Sequence, residues 1–478
     1  MITKQHLNRN LLEAQYAVRG PIVTRAQQLE EQGRQIIYCN IGNPQALKQK
    51  PLTFIRQMFS LLEFPQLLQD PETARRFPKD VRERVERILA RHPHGTGAYT
   101  QSTGIPFIRE AVAEFIRRRD GIPASRDQII LTDGASKGVQ AVLLALLREQ
   151  HDGFMIPIPQ YPLYSASLAL YGGQQIGYYL DEDHQWQLSE QTLAETIASA
   201  KARGIHPVAI VVINPGNPTG AVLSEDNIRM IIGFAKRHHL SILADEVYQE
   251  NIYESGASFH SFARVMHELG EKDISLFSVH SVSKGFLGEC GHRGGYLECR
   301  NIPADVMAEF VKLQSISLCA NVAGQFAIYA MVSPPAQGDE SYELYAKERD
   351  TILASLKSKA EILGKGISRI EGLSVDIPQG AMYAFVRLRL PPEKGRDVGL
   401  MDSEERLAYE TKREFDYCMA LIEQTGICIV PGSGFGQPPG TLHFRTTFLP
   451  PQDEMEQLVE KLRRFHESYT RVESTVVG

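Results

Sequence analysis

Residues 208–220 read VAIVVINPGNPTG, six apolar residues followed at once by a loop of two asparagines, two prolines, two glycines and a threonine. A short, continuous apolar run is typical of a strand that is buried on both faces of a sheet. The prolines fix a rigid, non-helical loop and remove N–H donors that a Walker A phosphate loop needs. The stretch therefore predicts a buried strand that delivers a rigid polar loop to the end of a sheet.

Similar apolar runs alternate with helical segments from about residue 104 to residue 300. One helix, for example, is predicted to begin after Ser224 as N-cap and to end at Lys236, Arg237 and His238. Strands are predicted at 128–131, 154–158, 175–180, 208–213, 241–244, 274–279 and 294–299. Buried strands joined by helices imply an α/β fold with a mostly parallel seven-stranded sheet flanked by helices.

The pattern changes after about residue 300. Two long helical stretches, 303–331 and 343–370, precede short strands at 373–377, 382–388, 427–430 and 441–448. We predict an N-terminal arm and part of a small domain over 1–45, a large domain over 46–344 and a small α+β domain over 345–478. Residues 45–95 receive no assignment from their sequence.

Composition excludes several classes of protein. The chain has 478 residues, 43% hydrophobic and 23% charged, with a net charge of −6, which is ordinary for a globular enzyme and gives no basic footprint for nucleic acid or anionic lipid. No secretory signal is apparent, and no apolar run approaches the ~18 residues of a membrane span. The six cysteines form no C-x-x-C pair, so we expect reduced thiols and a cytoplasmic location.

The residues whose side chains could bind a ligand or take part in catalysis follow the predicted strands. Ligands of such sheets bind beyond the carboxyl ends of the strands. Ala135 and Ser136 open a helix after the first strand, where N–H groups and the helix dipole favour a phosphate. Asp245 ends an apolar strand, and its burial requires a cationic partner. Lys284 and Arg293 follow the strand at 274–279.

Together these positions resemble a known signature. Asn217 in NPGNPTG, Asp245 and Tyr248 in ADEVY, Lys284 in SVSKG, and Arg293 look like the motifs of the class I/II, fold type I pyridoxal-phosphate aminotransferases. Longer strings resemble the alanine branch of that family: IPIPQYPLYSA at 156–166, FHSF at 259–262, GECG at 288–291 and PGSGFG at 431–436. The resemblance runs from about residue 42 to residue 449. It implies a large cofactor domain and a smaller α+β domain built from both termini.

The resemblance also implies roles around pyridoxal 5'-phosphate. Lys284 would bind the cofactor aldehyde covalently and move the proton at the substrate Cα, with Asp245 and Tyr248 as the other predicted catalytic residues. Asp245 would hold the proton on the pyridine nitrogen. Tyr248 and Asn217 would contact the ring oxygen, and Tyr161 would stack on the ring.

The remaining implied roles concern the phosphate, the substrate and the partner subunit. Ala135, Ser136, Ser281 and Arg293 would hold the phosphate. Tyr99 would reach the phosphate of the partner subunit, which implies a homodimer with shared active sites. The substrate-binding residues would be Arg445 on the α-carboxylate, Gly42, which closes over the substrate, and Asn217.

The expected reaction is L-alanine plus 2-oxoglutarate giving pyruvate plus L-glutamate, by a ping-pong cycle through pyridoxamine phosphate. Alternatives are a related transaminase such as a glutamate:glyoxylate enzyme, or a lyase of the aminocyclopropane-carboxylate synthase type. A ligand-sensing regulator of the same fold would need a basic DNA-binding extension, for which the chain has no spare segment. We predict no metal site, since the pairs His92/His94 and His238/His239 lack suitable spacing and partners.

Overall fold

The computed structural model describes residues 1–16, 20–392 and 398–475. Its helices are α1 (Arg9–Glu13), α2 (Pro21–Glu31), α3 (Thr53–Glu63), α4 (Pro71–Ala74), α5 (Lys79–Arg91), α6 (Pro106–Asp120), α7 (Ala135–Leu146), α8 (Leu163–Tyr171), α9 (Glu190–Ala202), α10 (Glu225–His238), α11 (Phe262–Glu268), α12 (Ala304–Ile316), α13 (Val322–Val332), α14 (Tyr342–Ile367), α15 (Ser403–Thr425) and α16 (Gln452–Thr475). Its strands are β1 (Ile37–Tyr38), β2 (Ile129–Asp133), β3 (Asp152–Ile158), β4 (Gln174–Tyr179), β5 (His206–Ile213), β6 (Ser241–Asp245), β7 (Leu276–Ser281), β8 (Gly294–Arg300), β9 (Leu373–Ser374), β10 (Tyr383–Leu388), β11 (Ile427–Cys428), β12 (Val430–Pro431) and β13 (His443–Thr447).

The large sheet has seven strands in the order β2-β8-β7-β6-β5-β3-β4. All pairs from β7 to β4 are parallel, whereas β8 runs antiparallel to both of its neighbours. The seven predicted strands are confirmed with ends shifted by a few residues, and so is the mostly parallel α/β fold. Helix α10 also begins after Ser224, whose side chain accepts a hydrogen bond from the Asn227 N–H.

Both faces of this sheet are covered, as the unbroken apolar runs require. On β5, Ala209, Val211 and Ile213 pack in a core with residues of α7 and α8. The alternate residues Ile210 and Val212 face a second core formed with α9, α10 and α11. Successive strand residues point to opposite faces, so a strand between two helical layers is apolar at every position.

The C-terminal part forms a second sheet, β12-β13-β10-β9, with α14, α15 and α16 around it. Strand β1 pairs in parallel with β11, so the N-terminal segment joins the C-terminal part. Ile22, Ala26 and Ile37 share a core with Ile422 and Phe444. The smaller α+β unit built from both termini is therefore confirmed, while its limits at 45/46 and 344/345 stay a prediction.

The prediction of one long helical stretch over 303–331 is wrong in one respect. The segment forms two helices, α12 and α13. The helical conformation is interrupted between them at Leu318, whose φ of 66° lies in the left-handed region. Asn321 then caps α13 through a hydrogen bond from the Gly324 N–H, and its own N–H donates to Oδ1 of Asp133 at the end of β2. The break thus ties α13 to the edge of the sheet where ligands are expected.

Residues 45–95, which the sequence left unassigned, contain α3, α4 and α5. The apolar faces of α3 and α5 pack in one core with α6 and α13. Within the residues that the structure describes, no helix has both the length and the apolar character needed to cross a bilayer. All six cysteines are free thiols, as predicted.

Candidate active site

A cavity of about 490 Å³ lies where β5, β6 and β7 end. It collects eleven of the twelve residues that the sequence marked as a site. These are Gly42, Ala135, Ser136, Tyr161, Asn217, Asp245, Tyr248, Ser281, Lys284, Arg293 and Arg445. Most of them come together because parallel strands place their carboxyl ends, and the loops that follow, at the same edge of a sheet, whereas Gly42 and Arg445 come from the smaller unit.

Lys284 follows β7 and is half-buried. Its Nζ donates a 2.8 Å hydrogen bond to the carbonyl oxygen of Gly42. A Cβ atom on Gly42 would lie 2.1 Å from the Tyr383 hydroxyl oxygen, closer than real contacts allow, and a tight 3.0 Å from Lys284 Nζ. Position 42 therefore requires glycine, and its backbone closes one side of the cavity against the lysine amine.

Asp245 is the last residue of β6 and is only 5% exposed. Its Oδ2 accepts a 2.8 Å hydrogen bond from the Tyr164 hydroxyl, and its Oδ1 accepts a 3.4 Å bond from the Val247 N–H. Burial raises the pKa of Asp245 to about 6, against the effect of these hydrogen bonds and of the Lys284 charge. A carboxylate so placed is suited to a cationic N–H group in the cavity.

The opposite part of the cavity is an anion cradle. Ala135 and Ser136 form the first turn of α7, where N–H groups have no partner within the helix. Arg293 bonds the carbonyl oxygens of Cys290 and Asp133 at 2.9 and 3.1 Å. A Cβ on Gly134, which has a φ of 76°, would lie 2.3 Å from Arg293 Nη2. Glycine at 134 therefore lets the guanidinium reach the helix N-terminus.

Arg445 lies on β13 and is 1% exposed. Its guanidinium donates to Oδ1 of Asn217 at 3.2 Å and to the carbonyl oxygen of Asn40. Its Nε has no hydrogen-bond partner among the described residues. Burial lowers the pKa of Arg445, and the groups that oppose this shift are tyrosines, not carboxylates. A buried guanidinium with a spare donor is suited to a carboxylate ligand.

Two tyrosine pairs line the same cavity. The hydroxyls of Tyr161 and Tyr16 are 2.8 Å apart, and the Tyr248 hydroxyl donates to that of Tyr383 at 3.2 Å. Burial raises the pKa of Tyr161 and of Tyr248 well above the ordinary value. Both are therefore neutral hydrogen-bonding groups at neutral pH.

Sequence reasoning missed several residues of the site, namely Tyr16, Tyr164, Cys290 and Tyr383. Tyr164 had a usable signal, since it lies in the string 156–166 only three residues after Tyr161. Tyr99 is the one predicted residue outside the cavity. It is 78% exposed, and its contact with a partner subunit stays a prediction.

The donor set fits a phosphorylated pyridine aldehyde. Lys284 supplies an amine, Asp245 a buried carboxylate for a ring N–H, and the start of α7 with Arg293 a phosphate cradle. No cluster of potential metal ligands occurs in the described ranges 1–16, 20–392 and 398–475. Fold and site together define a fold type I enzyme whose cofactor is pyridoxal 5'-phosphate.

The chain belongs to the aminotransferase class I and II family, whose model matches residues 68–462. A probable mitochondrial alanine aminotransferase of Dictyostelium discoideum is 46% identical, over 98% of this chain and 89% of that protein. Glutamate–glyoxylate aminotransferase 1 of Arabidopsis thaliana is 45% identical, over 97% and 95%. Among solved structures, an alanine aminotransferase from Pyrococcus furiosus superposes with a TM-score of 0.76 at 25% identity, covering 97% of this chain and all of that one.

Proposed function

We propose that this enzyme transfers the amino group of L-alanine to 2-oxoglutarate, giving pyruvate and L-glutamate. The observation that carries the proposal is that Lys284 and the buried Arg445, with its spare donor, face one cavity. Amino acids and 2-oxo acids share the α-carboxylate that Arg445 would bind. The choice of alanine is supported by the 46% identity to a protein named for that activity.

The cofactor, when bound, supplies an aldehyde that takes up amines and a ring that accepts electrons from the substrate Cα. The protein's own groups do the rest. Arg445 fixes the α-carboxylate through a planar fork, which orients the Cα hydrogen. Lys284 Nζ, the amine that reaches the Gly42 carbonyl, takes the proton from Cα and later returns one. Asp245 keeps a proton on the pyridine nitrogen through its charge.

A second candidate is transfer from glutamate to glyoxylate, which the 45% identity to the Arabidopsis protein favours. Both reactions use Lys284, Asp245 and Arg445 in the same way. They differ only in the side chain of the donor and in the oxo acid accepted. The substrate test must therefore carry both pairs of substrates.

We also propose a homodimer with shared sites. Tyr99 has a large aromatic side chain that is 78% exposed, and it lies outside its own subunit's active-site cavity. Contact with the phosphate of a partner subunit would account for that exposure. The proposal is supported by the resemblance of the segment around Tyr99 to the family motif, and it is tested by subunit mixing below.

The experiment for the reaction is a pair of half-reactions on the purified, cofactor-loaded protein. Saturating L-alanine alone should abolish the visible absorption of the cofactor aldehyde and release one pyruvate per site. Adding 2-oxoglutarate should restore the band and release L-glutamate. The same two steps are repeated with L-glutamate as the donor and glyoxylate as the oxo acid. Lys284→Ala is the control that should show neither change. An unchanged band under alanine would refute the alanine assignment, and release of ammonia would favour a lyase.

A further inference from the structure

Tyr383 occupies a central place in the cavity that the family signature does not explain. It is the first residue of β10, is 3% exposed and lines the cavity. In the antiparallel pair β10–β13 it stands opposite Thr447, while Arg445 stands opposite Phe385. Tyr383 and Arg445 are therefore diagonal neighbours, and their side chains share one face of the sheet.

The ring of Tyr383 is one side of an aromatic clamp on Arg445. The guanidinium carbon lies 4.4 Å from the centroid of the Tyr383 ring and 4.5 Å from that of Phe435. A cation that close to two desolvated rings is attracted by the negative face of each. The clamp thus holds the carboxylate-binding fork in one orientation.

The hydroxyl of Tyr383 points to the other half of the site. It accepts a hydrogen bond from Tyr248 at 3.2 Å. The position that a Cβ atom on Gly42 would take is 2.1 Å from this hydroxyl oxygen and 3.0 Å from Lys284 Nζ. The oxygen and the nitrogen therefore lie within about 5 Å of each other. Burial raises the pKa of Tyr383, but the nearby charges of Lys284 and Arg445 lower it by more than burial raises it, so the net shift is downward.

We propose that Tyr383 is a positioning residue that links substrate binding to proton handling, its ring orienting Arg445 and its hydroxyl oxygen stabilising a proton on the Lys284 nitrogen. The proposal rests on the proposed amino transfer. The Tyr383 oxygen lies within about 5 Å of the Lys284 nitrogen, whose hydrogen bond goes to the Gly42 carbonyl, and a partial negative charge at that distance favours the protonated form of an amine. The hydrogen bond from Tyr248 to Tyr383 would also compete with the contact to the cofactor ring oxygen that the resemblance implies for Tyr248. Both effects keep the proton on Lys284.

The test separates the two parts of the side chain. Tyr383→Phe keeps the ring and removes the hydroxyl, and Phe435→Leu removes the other ring of the clamp. The readout is the pH midpoint of the bound cofactor's visible absorption, measured without substrate, together with kcat and KM for alanine. Tyr383→Phe should move the midpoint to lower pH, equivalent to about a threefold or greater loss of proton affinity, with KM changed less than about twofold. Phe435→Leu should leave the midpoint in place and raise KM about fivefold.

Tyr383→Leu should show both changes, and thermal unfolding confirms that each variant is folded. A midpoint unmoved or raised in Tyr383→Phe would overturn the role of the hydroxyl, and an unchanged KM in Phe435→Leu would overturn the clamp. Because the midpoint is read without substrate, it stands apart from the substrate assignment. Failure of the wild type to convert alanine would refute the proposed function alone.

Discussion

The Tyr164 hydroxyl donates a 2.8 Å hydrogen bond to Oδ2 of Asp245, so the buried carboxylate at the end of β6 has a phenol as its partner within the chain. A phenol stabilises the anion less than a cation does, and the pKa of Asp245 stays at about 6. The ordinary value is 3.8. The protein without cofactor therefore carries a carboxylate that is costly to ionise.

The cost of ionising Asp245 leads to a prediction about the pH dependence of stability. Because the folded state binds this proton more tightly than the unfolded state, the contribution of Asp245 to the free energy of unfolding falls as pH rises from about 4 to about 6 and stays lower above that. Asp245→Asn should remove this slope and raise the unfolding free energy of the cofactor-free protein at pH 7.5 by up to about 3 kcal/mol. It should also lower turnover at least about a hundredfold. Denaturant melts at several pH values measure the first effect.

Asp152 provides the matched control. Its side chain is 1% exposed, but it lies beneath two side chains that are 62% exposed, Arg148 and His206, which hydrogen-bond it and, despite desolvation, lower its pKa below the ordinary value. The stability that it contributes is therefore present above the ordinary pKa and lost in acid, the opposite sign. Asp152→Asn should destabilise the protein at pH 7.5. If Asp245→Asn destabilised it as well, the pKa attributed to Asp245 burial would be wrong.

Much of this site was predictable from sequence because of one geometric fact. Asn217, Asp245 and Lys284 each lie at or just after the end of an apolar strand, and parallel strands end at a common edge. The same reasoning could not find Tyr383 or Tyr16. They come from segments far from the sheet in sequence, and only the packing of the smaller unit on the large one brings them to the cavity.

The predicted helix boundaries were wrong where the conformation of single residues decides where a helix ends. The break between α12 and α13 depends on the left-handed Leu318 and on the tertiary bond from Asn321 to Asp133, and neither alters the helical periodicity. The partner of Asp245 illustrates the same limit. The sequence predicted a cationic partner, but the hydrogen-bond partner that the chain itself supplies is the phenol of Tyr164 on α8, which leaves the cation to a ligand.

Gly42 gives a prediction of steric origin. Gly42→Ala should lower turnover at least about a hundredfold, because its Cβ would overlap the Tyr383 hydroxyl and displace Lys284 from the Gly42 carbonyl. The fold should persist, since the collision faces a cavity. Gly233→Ala on α10 is the control, because its Cβ meets only the end of the Arg237 side chain at 3.4 Å. That variant should keep full activity and gain stability of about 1 kcal/mol. Steady-state kinetics with thermal melts distinguish the two, and an active Gly42→Ala enzyme would contradict the packing described.

Asn251 holds the turn that carries Lys284. Its Oδ1 accepts a 2.8 Å hydrogen bond from the Gly285 N–H, and its Nδ2 donates to the Gly285 carbonyl at 3.4 Å. Asn251→Ala should lower turnover at least about tenfold, and it should slow recovery of the cofactor's absorption when cofactor is added back. The unfolding free energy should fall by about 1–2 kcal/mol.

Asn227 makes the same two-bond contact away from the cavity, to the N–H and carbonyl of Leu188 at 3.2 and 2.7 Å. Asn227→Ala should therefore cost a similar amount of stability while turnover stays within about twofold of wild type. Equal losses of turnover in the two variants would mean that Asn251 acts through stability alone.

Tyr99 provides the test of the shared site. If it serves the partner subunit, the site that contains Lys284 of one chain uses Tyr99 of the other. Lys284→Ala and Tyr99→Ala homodimers should each be impaired, yet equal mixing by co-expression should restore about a quarter of wild-type activity, because half of the dimers then hold one intact site. Sedimentation checks that the mixed species is a dimer. The control pairs Lys284→Ala with Asp245→Asn, which lie in one cavity of one chain and should not complement each other. Recovery in both mixtures would point to exchange artefacts, and recovery in neither would place Tyr99 outside the partner's site.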